Sequence, residues 1–220
     1  MNRCGFFREK YAQDWERMVG HPFVNSLGNG SLPREAFASY MRQDYLFIDT
    51  LVRLVSSAIA RAPSVETAKP LGSFLNTLLG AEDALFNNVF TRMNLSRPDR
   101  DSDMKTITLR FTNYLLGLGR RGSFEPIATA LFVTEGTYSD WAKRLAADNK
   151  RSNDPLYAEW INIHAESSLA DFVSYLANQS GEIGNADDAR VERVFRRTLR
   201  YEIAFWDEFF GSPATECPHA

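Results

Sequence analysis

At 220 residues, with 44% hydrophobic and 24% charged side chains, the chain is composed like a globular protein able to bury a sizeable core, not like a disordered one. A formal net charge of −3 gives no reason to expect nucleic acid as a partner. Two cysteines, Cys4 and Cys217, cannot make a disulfide framework, and three scattered histidines (His21, His164, His219) suggest no metal centre, so neither metal nor cofactor is expected.

The opening stretch MNRCGFFREKY lacks the apolar core of a signal peptide. No apolar run approaches the roughly 20 residues that cross a bilayer. A cytoplasmic protein with no membrane partner is the expectation. Both cysteines sit near termini expected to be mobile, which argues against a cysteine nucleophile. From residue 31 onward helical periodicity dominates. Ser31, Pro33 and Glu35 read as a helix start. Phe37, Tyr40, Met41, Asp44, Phe47, Ile48, Leu51, Leu54 and Val55 then recur at three- and four-residue steps. This helix is predicted to run to about Ala62, where Pro63 ends it. A second helix is predicted from Val65 to about Met93, with Leu71, Phe74, Leu75, Leu78, Leu79 and Leu85 on its apolar face.

Residues 94–103 read as a polar loop. A helix is predicted from near Met104, with Leu109, Tyr114, Leu115 and Leu118 as its apolar face and its end within 117–122. Another spans Phe124 to Ala147, with Pro126 tolerable in its first turn. Pro155 opens a helix to about Gln179. Residues 180–188 form a break, and Asp188 to Phe210 make the last helix. There, Arg193, Arg196, Arg197 and Arg200 alternate with apolar residues and read as one solvated face. No β-alternating segment and no internal repeat appears. The fold expected is all-α: one domain over 1–220, its core about 6–210, built as a bundle of about seven helices.

Three carboxylates sit oddly in this pattern. Asp44 lies between Tyr40 and Ile48 on an otherwise apolar row. Glu135 falls in TALFVTEGTY, which carries no other charge. Glu202 lies one turn before Trp206. An ionised carboxylate on a buried face is costly unless it is paired or hydrogen-bonded. Each alone fits a buried ion pair or a helix rotated toward solvent. Together with Tyr45, Tyr138 and Tyr201 nearby, they point to a polar pocket inside a bundle. Glu82, in LLGAEDALF, suits either an arginine pair or a cavity wall. His21 reads as a helix-boundary residue, and Trp206 and Phe209 as core.

His21-Pro22-Phe23-Val24, Leu27-Gly28-Asn29-Gly30-Ser31-Leu32-Pro33, and Phe37, Tyr40 and Gln43-Asp44-Tyr45 together resemble the opening signature of the TenA/THI-4 family of thiamin-salvage enzymes. Tyr201-Glu202 followed by Phe205-Trp206 resembles the family's C-terminal helix, and Phe124 to Leu145 its small-residue helix. The resemblance runs from about residue 6 to 210 and implies a haem-oxygenase-like helical fold assembled as a tetramer or dimer. It implies that Asp44 contacts a substrate aminopyrimidine, that Glu202 is catalytic, and that Tyr138 faces the site.

The chain also departs from the pattern. Thr134 stands where the better-known branch carries a cysteine nucleophile, and Glu135 instead resembles the glutamate of the branch that lacks it. His164 stands in place of a pocket tyrosine, and Phe111 is the aromatic before Thr112. The activity implied is hydrolysis of an aminomethylpyrimidine to its hydroxymethyl form. Phe47, Phe111 and Tyr138 would form a flat slot, Asp44 and Glu202 would read the ring's polar edge, and Glu135 would act as base or nucleophile. His164 and Glu82 are further candidates to line the substrate site. Two other readings stay open: a pyrimidine-binding regulator or carrier without chemistry, and a related cavity enzyme handling haem or a quinone precursor. The first is not supported by any helix-turn-helix signature. Haem is disfavoured because no histidine occupies a helical position near the N-terminus.

Overall fold

A computed structural model describes residues 1–99, 103–148, 152–184 and 186–210. Its helices in chain order are α1 (Arg3–Lys10), α2 (Ala12–Val19), α3 (Pro22–Asn29), α4 (Arg34–Arg61), α5 (Val65–Thr77), α6 (Asp83–Arg92), α7 (Thr106–Arg121), α8 (Phe124–Ala147), α9 (Pro155–Ala165), α10 (Ser167–Gln179) and α11 (Asp188–Phe210). Among the described residues the only extended pairing is an isolated bridge between Asn2 and Glu182. The fold is all-α. No described helix is long and apolar enough to cross a membrane.

The helices pack as two compact units, one joining Met1–Ser31 to the chain from Glu125 onward, the other formed by Leu32–Phe124. In the first unit α11 packs on α1, α2 and α3, while α9 packs on α3 and α10. The 3.6-residue period of α11 buries Val191, Val194, Phe195, Thr198, Leu199, Glu202, Phe205 and Trp206 on one side. Arg193, Arg196, Arg197 and Arg200 fall on the exposed side, as their spacing predicts.

Local chemistry sets the helix ends. Asn2 caps α1 by accepting from the Gly5 N–H at 2.8 Å, and Asp154 caps α9 by accepting from the Leu156 N–H at 2.9 Å. The glycines of the Leu27–Gly30 motif have distinct duties. Gly30 ends α3 in the left-handed region at φ 81°. A Cβ on Gly28 would lie 2.4 Å from a Leu145 methyl, so any larger residue there would force the Leu145 side chain to shift.

In the second unit α4 packs on α5 and α7. It ends where Ala62 turns extended (ψ 133°) ahead of Pro63. Its neighbour α5 opens at Ser64, whose hydroxyl accepts from the Thr67 N–H at 3.1 Å. The helix predicted over 65–93 is interrupted by a π turn at Leu78–Glu82. Across it, positions 78, 82 and 86 recur every four residues, which a wider turn keeps on one face. Leu79, expected on the apolar face, is 62% exposed.

Two further differences have local causes. The third predicted helix starts at Thr106 and buries Ile107, Thr108, Phe111, Thr112 and Leu115, so Leu109 faces solvent. The helix predicted over 155–179 is divided by Glu166, whose extended backbone (φ −61°, ψ 146°) closes α9 and opens α10.

The N-terminus is also better anchored than its position suggests. The Arg3 N–H donates to the Gly181 carbonyl at 2.9 Å, and the Arg3 guanidinium donates to Asp188 at 2.7 Å and to the Ser180 carbonyl at 2.9 Å. Cys4 is thereby fully buried rather than mobile. Cys217 and His219 lie outside the described residues.

Candidate active site

In the first unit α8 is apolar and buried on nearly every side from Pro126 to Thr137, and Glu135 sits within that run. Its carboxylate is 8% exposed and accepts from the adjacent Thr134 hydroxyl at 3.0 Å. The same hydroxyl lies 3.1 Å from the Leu131 carbonyl, so a single proton serves both acceptors. Tyr138 follows one helical turn later, with Cβ atoms at this spacing about 5–6 Å apart. Its half-buried ring stacks on Trp206 at 5.7 Å and 25°. Trp206 in turn lies one turn after the buried Glu202 on α11. The ring one turn after Glu135 and the ring one turn after Glu202 are thus in contact.

His164 closes this cluster. Its ring centroid is 5.1 Å from Tyr138, 5.6 Å from Trp141 and 4.4 Å from Trp160. Nδ1 lies 2.9 Å from the Trp160 carbonyl. A carbonyl only accepts, so Nδ1 carries the hydrogen and Nε2 holds a lone pair. Burial holds the imidazole down to about 4, against the weaker opposing effect of that hydrogen bond, so the ring is neutral at pH 7.

The second unit holds Asp44, Phe47 and Phe111. Asp44 is 6% exposed and accepts from the Tyr40 hydroxyl, one turn earlier on α4, at 2.9 Å. Burial raises its carboxyl to about 7, offset in part by that hydrogen bond. Phe47 and Phe111 face each other at 4.9 Å and 39°. Gln43 fixes α4 to the start of α7. Its amide NH₂ donates to the Asp103 carbonyl at 2.8 Å, while its Oε1 accepts from the Lys105 N–H at 2.8 Å and the Thr108 hydroxyl at 2.7 Å.

A sequence model of the TENA/THI-4/PQQC family matches residues 8–211, across both units. The chain belongs to this family.

Among TENA/THI-4/PQQC relatives, an aminopyrimidine aminohydrolase of Halalkalibacterium halodurans is 28% identical over 90% of this chain and 91% of its own. The Bacillus subtilis protein of that name is 24% identical over 90% and 86%. Of solved structures, a TenA homologue from P. horikoshii superposes with a TM-score of 0.86 at 20% identity, covering 96% of this chain and 99% of that one. A TenA family transcription regulator from Silicibacter sp. gives 0.84 at 22% identity, with 94% and 96% covered. At these identities the structures share the fold.

Within this family member the remaining sequence candidates scatter. Glu82 lies half-buried on the π turn against which α4 packs. Tyr45 packs edge-on to Phe86 and Phe90 at 5.6 and 5.2 Å, and Tyr201 lies beneath the Arg197 guanidinium. Sequence reasoning missed Tyr40 as a partner of Asp44, although the i,i+4 spacing contains that signal. It also missed Trp141 and Trp160, whose indoles wall His164 and whose even helical spacing reads only as core. Among the described residues no group of three or more His, Cys, Asp and Glu stands where it could hold a metal ion.

Proposed function

We propose that this protein hydrolyses an aminomethylpyrimidine to the hydroxymethylpyrimidine and ammonia, the reaction that salvages the pyrimidine half of thiamin. Family membership and relatives named aminopyrimidine aminohydrolase at 23–28% identity support this. The observation that carries it is Glu135: a buried carboxylate in the otherwise uncharged stretch Thr129–Tyr138, beside Thr134 and one turn from the Tyr138 ring.

In this reading Glu135 takes a proton from water, whose oxygen bonds to the exocyclic carbon as the carbon–nitrogen bond breaks. The nitrogen leaves with that proton as ammonia. A positioned group of this kind contributes roughly 10²–10⁴-fold. The family resemblance assigns Glu202 and Asp44 to the polar edge of the pyrimidine, and Phe47, Phe111 and Tyr138 to its flat faces. Glu82 is assigned a lining role on the resemblance alone. One domain spanning 1–220, assembly as a tetramer or dimer, and a cytoplasmic location belong to the same proposal. The uninterrupted match over residues 8–211 supports the first of these.

The test is incubation with aminomethylpyrimidine, its N-formyl form and thiamin, following hydroxymethylpyrimidine and ammonia together. Stoichiometric release of both from the amine is expected. Tight binding without product would favour a carrier, and no binding to any of the three would overturn the reading.

A further inference from the structure

We propose that His164 sets substrate preference, its Nε2 accepting a hydrogen bond from the departing nitrogen of an aminomethylpyrimidine and so favouring that substrate over thiamin. This rests on the hydrolase reading above. The geometry of the side chain carries it. The Trp160 carbonyl, 2.9 Å from Nδ1, fixes the hydrogen there and leaves Nε2 as an acceptor. The side chain is 8% exposed, and among the described residues Nε2 meets no hydrogen-bond donor. The walls of this acceptor are aromatic rings: Tyr138, Trp141 and Trp160, with centroids 4.4–5.6 Å away. A ligand that fills this aromatic site displaces water from the lone pair, so one that brings a donor is favoured over one that does not. Its neighbour Tyr138 is one helical turn from Glu135, the carboxylate assigned to the chemistry.

Substrate chemistry supplies the discrimination. In an aminomethylpyrimidine the nitrogen to be expelled carries N–H bonds, and its N-formyl form keeps one. In thiamin the corresponding nitrogen is the quaternary atom of the thiazolium ring and carries no hydrogen. A site built to hydrogen-bond an N–H rejects the analogue that lacks it, because its own buried group is left unpaired. Low basicity from burial keeps the ring neutral, so the acceptor persists at neutral pH.

Dissociation constants for aminomethylpyrimidine and thiamin, with kcat/KM for the amine, are to be compared in the parent, His164→Phe and His164→Gln. Phenylalanine keeps a flat ring and removes the acceptor, and glutamine keeps an acceptor. The expected result is a loss of amine affinity of about tenfold or more in His164→Phe, thiamin affinity unchanged, and part of the loss restored in His164→Gln. A second readout needs no variant. In parent protein with ¹⁵N-labelled histidine, the His164 Nε2 resonance should move upfield on adding the amine and stay in place with the 5-methyl analogue that lacks the nitrogen. An unchanged amine-to-thiamin preference in a folded His164→Phe protein, or an Nε2 resonance indifferent to the amine, overturns the assignment while leaving the hydrolase reading intact. A parent that binds neither pyrimidine overturns both.

Discussion

Burial raises the Asp44 carboxyl to about 7, and the Tyr40 hydroxyl, which favours the ionised form, offsets only part of that. The folded value exceeds the unfolded one near 3.9, so the protonated acid is the form the fold prefers. The stability it contributes is complete below about pH 4 and lost as pH rises through about 7. Asp44→Asn should therefore melt no lower than the parent at pH 8, yet bind an aminopyrimidine at least about tenfold more weakly. Parent affinity should rise with pH through about 7, flatten in Asp44→Asn, and have its midpoint shifted upward in Tyr40→Phe. Calorimetric titrations at several pH values, beside melting curves, check all three. A large drop in melting temperature with unaltered affinity would make Asp44 structural. Asp44 was legible in the sequence because a charge interrupts an apolar row, and Glu135 because no other charge falls between Thr129 and Tyr138. The tautomer of His164 was not, since it depends on a contact with a main-chain carbonyl that no side-chain pattern encodes.

Among the elements, α3 begins in an unusual way. The Nδ1 of His21 accepts from the Phe23 N–H at 3.1 Å and acts as the N-cap, so its Nε2–H donates to Asp207 at 3.1 Å. Burial lowers the imidazole below its ordinary value, opposed by Asp207. Protonation puts a hydrogen on Nδ1, where it would meet the Phe23 N–H. The stability His21 contributes is thus present above about pH 6.5 and lost as pH falls below it. Melting temperature should fall on the acid side of 6.5, and His21→Asn, which caps without titrating, should lose that segment of the curve. A parent and His21→Asn protein with parallel profiles would sink this account. The sequence marks His21 as a boundary through Pro22. It does not mark the π turn at Leu78–Glu82 or the break at Glu166, because hydrophobic period survives a single widened turn and Glu166 is itself a good helix former.

For the whole molecule, the segment least visible in the sequence is the N-terminus. A terminal position suggests disorder, but the Arg3 hydrogen bonds to Ser180, Gly181 and Asp188 anchor the segment, and burial raises the Cys4 thiol to about 12 against the smaller opposing effects of Ser180, Thr129 and Arg3. A thiol so placed is almost entirely protonated and inaccessible at neutral pH. Alkylating reagents should leave native turnover unchanged and should reach Cys4 only after unfolding, as peptide mass mapping would show. Inhibition that tracks modification of Cys4 would revive a thiol mechanism. The measurement that bears most directly on the proposed hydrolysis is a comparison of turnover, affinity and melting temperature for the parent and Glu135→Gln on the same preparations. Glutamine keeps the shape and one acceptor for the Thr134 hydroxyl. The account predicts turnover lower by about 10²–10⁴-fold, with affinity and melting temperature close to those of the parent. A Glu135→Gln protein with undiminished turnover would contradict it.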